Sequence, residues 1–213
     1  MTKGVFIVIE GIDGAGKGNV MMRLQEYIMG KSKKYDHLLL TREPTFGPIG
    51  SKARELLASE SDPYKNAQLC LALYTDDRKW HCKEHIKPAL DKGYVVLCDR
   101  YKHSTYAFQQ TQGLTVKEIH AAHDGVLVPD LTIVLDVDVS VALSRMNGEN
   151  RGGSKAGEKF EKKEFMEKLR GKYLELPKLF PNEKIVVINA NFSKEQVTKD
   201  AIKALEDSNV LPW

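Results

Sequence analysis

Short runs of apolar residues alternate along the chain with longer stretches in which apolar positions recur every three or four residues. Near-continuous apolar runs at 5–9, 38–41, 94–98, 131–136 and 184–188 predict buried strands, because a strand covered by helices on both faces has no polar side. Between them the spacing is helical. Val20, Leu24 and Ile28 predict a helix with Gly30 as its C-cap. Residues 53–57, 63–80 and 85–92 (ended by Gly93), and the series Val197, Ala201 and Leu205, predict further helices. Strand and helix in alternation predict an α/β fold built on a parallel sheet. Residues 147–157 break the pattern: they hold four glycines and no large apolar side chain, which predicts a mobile loop. A highly charged helix over 160–176 is expected after it.

Composition narrows the class without naming a function. A chain of 213 residues is long enough to bury a substantial core, and one domain over 1–213 is the expectation. Hydrophobic residues make up 42% and charged residues 29%, which argues against disorder. The net charge of +3 is too small to imply nucleic acid or a membrane as partner. No apolar run approaches the length of a spanning helix or a signal segment. Three cysteines without a CxxC pair fit a reducing cytoplasm.

Chemistry enters where the first strand ends. Glu10 is followed by Gly11-Ile12-Asp13-Gly14-Ala15-Gly16-Lys17-Gly18-Asn19, and a helical pattern begins at once. In the G-x-x-x-x-G-K core, glycines let backbone amides turn inward around phosphate oxygens. The helix N-terminus adds partial positive charge, and Lys17 reaches the terminal phosphates. A hydroxyl residue normally follows that lysine and helps hold Mg2+; here Gly18 and Asn19 stand there, so the phosphate cradle is a firmer expectation than a direct metal contact. The strand ending in Asp99 supplies the carboxylate that would orient Mg2+ and its waters. Arg100 adjoins it, and Arg42, Arg54 and Arg78 sit at element ends, where guanidinium forks suit a second phosphate-bearing substrate.

These residues carry a resemblance that is nearly end to end. Phe6-Ile7-Val8-Ile9-Glu10-Gly11-Ile12-Asp13-Gly14, Thr41-Arg42-Glu43-Pro44, and Asp77-Arg78-x-x-His81 belong to it. Asp99-Arg100-Tyr101-x-x-Ser104-x-x-Ala107-Phe108-Gln109 is its most specific part, and Pro129-Asp130-Leu131-Thr132 and Arg170-x-x-Tyr173-Leu174 complete it. The chain resembles the thymidylate (dTMP) kinases of the P-loop nucleoside-monophosphate kinase superfamily. The resemblance implies a three-layer P-loop NTPase fold, a five-stranded parallel sheet flanked by helices, with a short lid loop at about 145–160. It also implies ATP as phosphate donor, Mg2+, and a homodimer.

The resemblance assigns roles to individual residues. Arg54 and Arg100 match the arginines that grip the dTMP phosphate, and Tyr74 the aromatic that stacks on thymine. Arg78 matches the donor to the thymine carbonyl, and Gln109, with Thr105 nearby, the group that reads the base edge. Phe108 matches the ring that crowds the sugar 2′ carbon, and Asp13 the acceptor for the 3′-hydroxyl. Glu43 and Pro44 belong to the turn lining the acceptor pocket. A catalytic arginine sits either in the P-loop or in the lid of such enzymes; Gly14 occupies the P-loop position, so Arg145 and Arg151 are the candidates, with Lys155 and Lys159 secondary. Two other readings stand beside this one: a kinase of another monophosphate such as dUMP or AMP, and a nucleotide-binding regulator without turnover. His81 with His85, and His120 with His123, have helical spacing but no third ligand, so packing roles are expected for them.

Overall fold

The computed structural model describes residues 4–31, 37–59, 62–148 and 163–211. Five strands, β1 (Val5–Glu10), β2 (Leu38–Arg42), β3 (Val95–Asp99), β4 (Leu131–Asp136) and β5 (Ile185–Asn189), form one sheet in the order β2-β3-β1-β4-β5. Every pairing is parallel. Each expected strand is present, shifted by at most one residue at an end. Burial differs from the expectation at the two edges, however. β1, β3 and β4 are almost wholly buried, whereas β2 and β5 have one neighbour each and stay half exposed.

Helices cover both faces because successive strand residues point to opposite sides. Ile7 and Ile9 enter the larger apolar cluster, together with Val20, Leu24 and Ile28 of α1 (Lys17–Lys31). Phe6 and Val8 enter a smaller cluster on the other face, with Val96, Cys98, Ile86 and Tyr101. α1 continues through Gly30, which is helical rather than a cap. α2 spans Pro48–Ser59. α3 (Ala67–His81) starts only after Asn66 takes a left-handed conformation, so the apolar spacing at 63–66 belongs to a turn. A π-type turn at Cys82–Ile86 carries α3 into α4 (Lys87–Asp91), and Gly93 at φ 82° ends the run as its spacing predicts.

The remaining helices are α5 (Lys102–Thr111), α6 (Val116–Ala122), α7 (Val139–Gly148), α8 (Lys163–Leu179) and α9 (Lys194–Ser208). Asn147 and Gly148, expected in the glycine-rich loop, are helical, and the rest of that loop lies outside the described residues. So do Arg151, Lys155 and Lys159. Along α8 the alternating charges pair one turn apart, as with Lys168 and Glu164 at 2.8 Å, so that face is a solvated one. Among the described residues no helix is long and apolar enough to cross a membrane.

The register places the chemistry. Ile9 lies opposite Asp99, so the phosphate loop leaves β1 beside the carboxylate that ends β3. Glu10, fully buried at the end of β1, accepts from the backbone N–H of Tyr101 (2.8 Å) and of Ser104 (3.0 Å) and from the Ser104 hydroxyl (2.6 Å). A carboxylate thus caps the N-terminus of α5, where the helix dipole favours negative charge.

Candidate active site

The phosphate loop fits closely against its surroundings. A Cβ on Gly11 would stand 2.7 Å from the Leu135 carbonyl oxygen, and one on Gly14 would stand 2.5 Å from that of Ala142. Gly14 also has φ 78°, so neither space nor backbone allows a side chain there in this conformation. Lys17 lies across the loop, with Nζ donating to the Gly11 and Ile12 carbonyls at 3.1 Å each. Its burial and the nearby Arg100 charge lower its pKa. Asn19 turns away from the loop, its amide donating to Thr198 of α9 at 3.5 Å. A Cβ on Gly18 would meet nothing within 4 Å.

Arg100 follows β3 in the left-handed region at φ 66°, a conformation that costs a non-glycine residue about 1–3 kcal/mol and is found chiefly at functional sites. That turn sends its side chain back over the loop. Nη2 donates to Asp13 at 2.7 Å, while Nη1 donates to Tyr173 at 2.7 Å and to Ser104 at 3.1 Å. For Asp13, burial favours protonation, but the Arg100, Lys17 and Arg42 charges outweigh it and hold the carboxyl at about 2.

Beside this cluster is a cavity of about 270 Å³. Its walls include all ten residues expected to bind the acceptor: Asp13, Glu43, Pro44, Arg54, Tyr74, Arg78, Arg100, Thr105, Phe108 and Gln109. Glu43 is less a contact than a support, because its two oxygens are taken by Arg78 Nε at 2.8 Å and by His81 Nδ1 at 3.0 Å. His81 Nε2 in turn meets Thr41 Oγ1 at 2.7 Å. Among the described residues, four buried side-chain polar atoms lack a hydrogen-bond partner: Arg54 Nε, Gln109 Oε1, Asp99 Oδ1 and His103 Nδ1. The first two belong to residues lining this cavity. Such atoms are rare in native proteins, and each calls for a partner that the folded chain alone does not supply.

Asp99 Oδ1 provides a test of the metal site. An unpartnered buried carboxylate oxygen beside the phosphate loop suits a hard divalent cation, and its other oxygen is only loosely engaged by Arg42 at 3.5 Å. Asp99 also borders a second cavity of about 570 Å³, walled mainly by Met21, Met22, Leu39, Leu40, Phe46 and Trp80. Arg145 is not brought to the cluster. It projects from α7 toward the loop before α9 and donates to the Phe192 carbonyl at 3.1 Å.

Sequence reasoning gave no site role to Glu10, Ser104, Tyr173 or His123. The first three carry no pattern of their own beyond the resemblance. His120 and His123 have helical spacing but no third metal ligand in the sequence, which predicts only packing roles for both. His120 meets the Tyr106 hydroxyl at 3.0 Å, whereas His123 touches Arg78: its Nε2 and Arg78 Nη1 are 2.7 Å apart. Its Nδ1 is 2.7 Å from the Ile119 carbonyl, which can only accept, so Nδ1 carries the hydrogen and Nε2 is the acceptor.

Burial, and then the Arg78 charge, depress His123 to about 3. In the unfolded chain the same imidazole titrates near 6.5. Between those values the unfolded state binds the extra proton, so stability falls as pH drops from about 6.5 toward 3. Between pH 7 and pH 5 the wild type should lose about 2 kcal/mol more unfolding free energy than His123→Gln does, measured by urea denaturation.

Three comparisons bear on what this site belongs to. A family model described as thymidylate kinase matches residues 9–201. The thymidylate kinase of Leuconostoc mesenteroides is 38% identical over 99% of this chain and 96% of its own length. That of Brachyspira hyodysenteriae is 34% identical over 99% and 97%. Among solved structures, the thymidylate kinase of Ehrlichia chaffeensis superposes with a TM-score of 0.74 at 27% identity, covering 95% of this chain and 99% of that one. With its phosphate loop, its acceptor cavity and full-length likeness all in agreement, the chain belongs to the thymidylate kinase family.

Proposed function

We propose that the protein transfers the γ-phosphoryl group of ATP to dTMP, giving ADP and dTDP. The observation that carries this reading is one cavity beside the phosphate loop whose walls hold two residues with an unpartnered buried atom: a donor, Arg54 Nε, and an acceptor, Gln109 Oε1. Arg54 is fixed from behind by the Pro44 carbonyl and by the Phe46 ring 4.4 Å from its guanidinium carbon, while its Nε has no partner among the described residues. Gln109 is fixed through its amide nitrogen, which donates to Gln112 at 2.8 Å. Its free oxygen is matched by the N3–H of a thymine or uracil ring, and Arg78 and Thr105 supply donors for the ring carbonyls. Cytosine, with an acceptor at N3, inverts that pattern.

Little covalent work falls to the protein. The attacking oxygen belongs to a phosphate that is already anionic, so no general base is needed. It forms a bond to the γ-phosphorus as the bond to the bridging β,γ oxygen breaks, and ADP leaves with that electron pair. Arg54 and Arg100 hold the acceptor phosphate, while the loop amides and Lys17 hold the donor phosphates. Tyr74 and Phe108 supply aromatic walls for base and sugar. Asp99 would hold Mg2+, through water, and the cation would offset charge on the transferring group. The lid cations, Arg151 among them, remain the proposed source of further positive charge, since Gly14 has no room for a side chain.

Coupled measurement of ADP release should show turnover that depends on dTMP. A kcat/KM for dCMP at least about 100-fold lower is expected, with dUMP much closer because it differs by one methyl group. No dTMP-dependent ADP release at saturating Mg2+ would overturn the reading in favour of a non-catalytic nucleotide-binding protein. Gly18→Thr places a hydroxyl in open space on the wall of the cavity that Asp99 also borders; the Mg2+ concentration for half-maximal rate should fall several-fold, and an unchanged value would remove position 18 from the metal site. A homodimer is proposed as well, supported by the exposed apolar side chains Met22, Leu40, Phe46 and Leu69. Gel filtration at twice the chain mass is the expected result, and elution as a monomer would reject it.

A further inference from the structure

We propose that His123 is a positioning residue for base recognition, its Nε2 lone pair fixing the Arg78 guanidinium so that one N–H is presented to a carbonyl of the pyrimidine ring. The inference rests on the reading of the cavity as the dTMP site. Arg78 is 2% exposed and lines that cavity. Its Nε edge faces Glu43, with Nε and Nη2 each 2.8 Å from Oε2. Nη2 also donates to Thr105 at 3.1 Å. Nη1 is the end away from the carboxylate, and His123 is the group that holds it. Glu43 and Thr105 hold the guanidinium at Nε and Nη2, and the Tyr101 ring lies 5.1 Å from its central carbon; His123 holds the remaining end, Nη1.

The choice of a neutral acceptor follows from charge. Glu43 already balances Arg78, so a second carboxylate at Nη1 would bury an uncompensated negative charge. An imidazole avoids that only if its hydrogen is kept on the other nitrogen. The Ile119 carbonyl, one turn back on α6, ensures this by accepting from Nδ1–H. The low pKa of His123 keeps the ring in that form throughout the neutral range.

The support itself is held in place. α6 begins with a capping box in which Thr115 Oγ1 accepts from Glu118 N, and Glu118 Oε2 accepts from Thr115 N at 2.8 Å. Glu118 also accepts from Gln68 of α3, the helix that carries Arg78, at 3.0 Å. The Tyr106 ring lies 5.2 Å from the imidazole and limits its rotation.

Two variants separate positioning from mere filling of space. His123→Gln places an amide oxygen near the site of Nε2, whereas His123→Asn is too short to reach Arg78. Steady-state kinetics should show His123→Asn raising the KM for dTMP about tenfold, with kcat and the KM for ATP within about twofold of wild type. His123→Gln should return the KM for dTMP to within about twofold. A fraction of misfolded enzyme lowers the apparent kcat without moving KM, so KM reports on the folded part. Equal KM values in the Asn and Gln variants, whether raised or unchanged, would overturn the proposal. So would a loss confined to kcat or to the KM for ATP. Arg78→Ala separates the two levels of inference. If it leaves the KM for dTMP unchanged, the assignment of the cavity fails; if it raises that KM while the His123 variants do not differ, only the role of His123 fails.

Discussion

A fully buried carboxylate is costly unless its charge is matched, and the site is organised around the one at Glu10. Its oxygens take two backbone N–H groups and a hydroxyl at the start of α5, where the helix dipole adds to the compensation. Because Glu10 immediately precedes the phosphate loop and Tyr101 immediately follows Arg100, these bonds fix the donor side of the cleft to the acceptor side. Ser104 extends the connection, as its hydroxyl lies 2.8 Å from the Tyr173 hydroxyl, which also receives Arg100. The left-handed turn at Arg100 persists because both flanks are held: its own N–H donates to Ile9 and the next one to Glu10.

Charge in the cleft is compensated locally, which explains why a net charge of +3 said so little. Arg100 pairs with Asp13, Arg78 with Glu43, and Arg42 with Asp99. Arg170 grips Asp136 at the end of β4. Arg54 makes no ion pair among the described residues, and Arg100 and Lys17 share the single carboxylate of Asp13, so positive charge is left over for incoming anions. Compensation has a second effect: it fixes guanidinium planes before a ligand arrives, so less ordering is needed on binding.

What the sequence made legible was mostly local. The five strands and the phosphate loop declare themselves within ten residues each, because apolar runs and glycine spacing are properties of adjacent positions. The acceptor residues could be assigned by resemblance, and the cavity gathers all of them. The misreadings have physical causes. Gly30 resembles a cap, yet both it and Lys31 are helical. β2 and β5 read as buried because an apolar run is the same at an edge as in the centre. Asn19 and Thr198 meet from opposite ends of the chain, and Arg78 and His123 are separated by 45 residues. No spacing rule announces a hydrogen bond of that kind.

The order of the strands also dictates when the site can exist during synthesis. The phosphate loop and its flanking β1 and α1 are all synthesised by residue 31, but β1 has no sheet neighbour until β3 begins at residue 95. Its other neighbour, β4, starts at residue 131. A growing chain therefore carries an apolar strand and a phosphate loop for much of its length with nothing to pair against. High sequence separation between paired strands slows closure and prolongs the exposure of strand edges. The glycines that shape the cradle are thus translated early, while Asp99 and Arg100, which give it a reaction to perform, emerge together with the strand that ends its exposure.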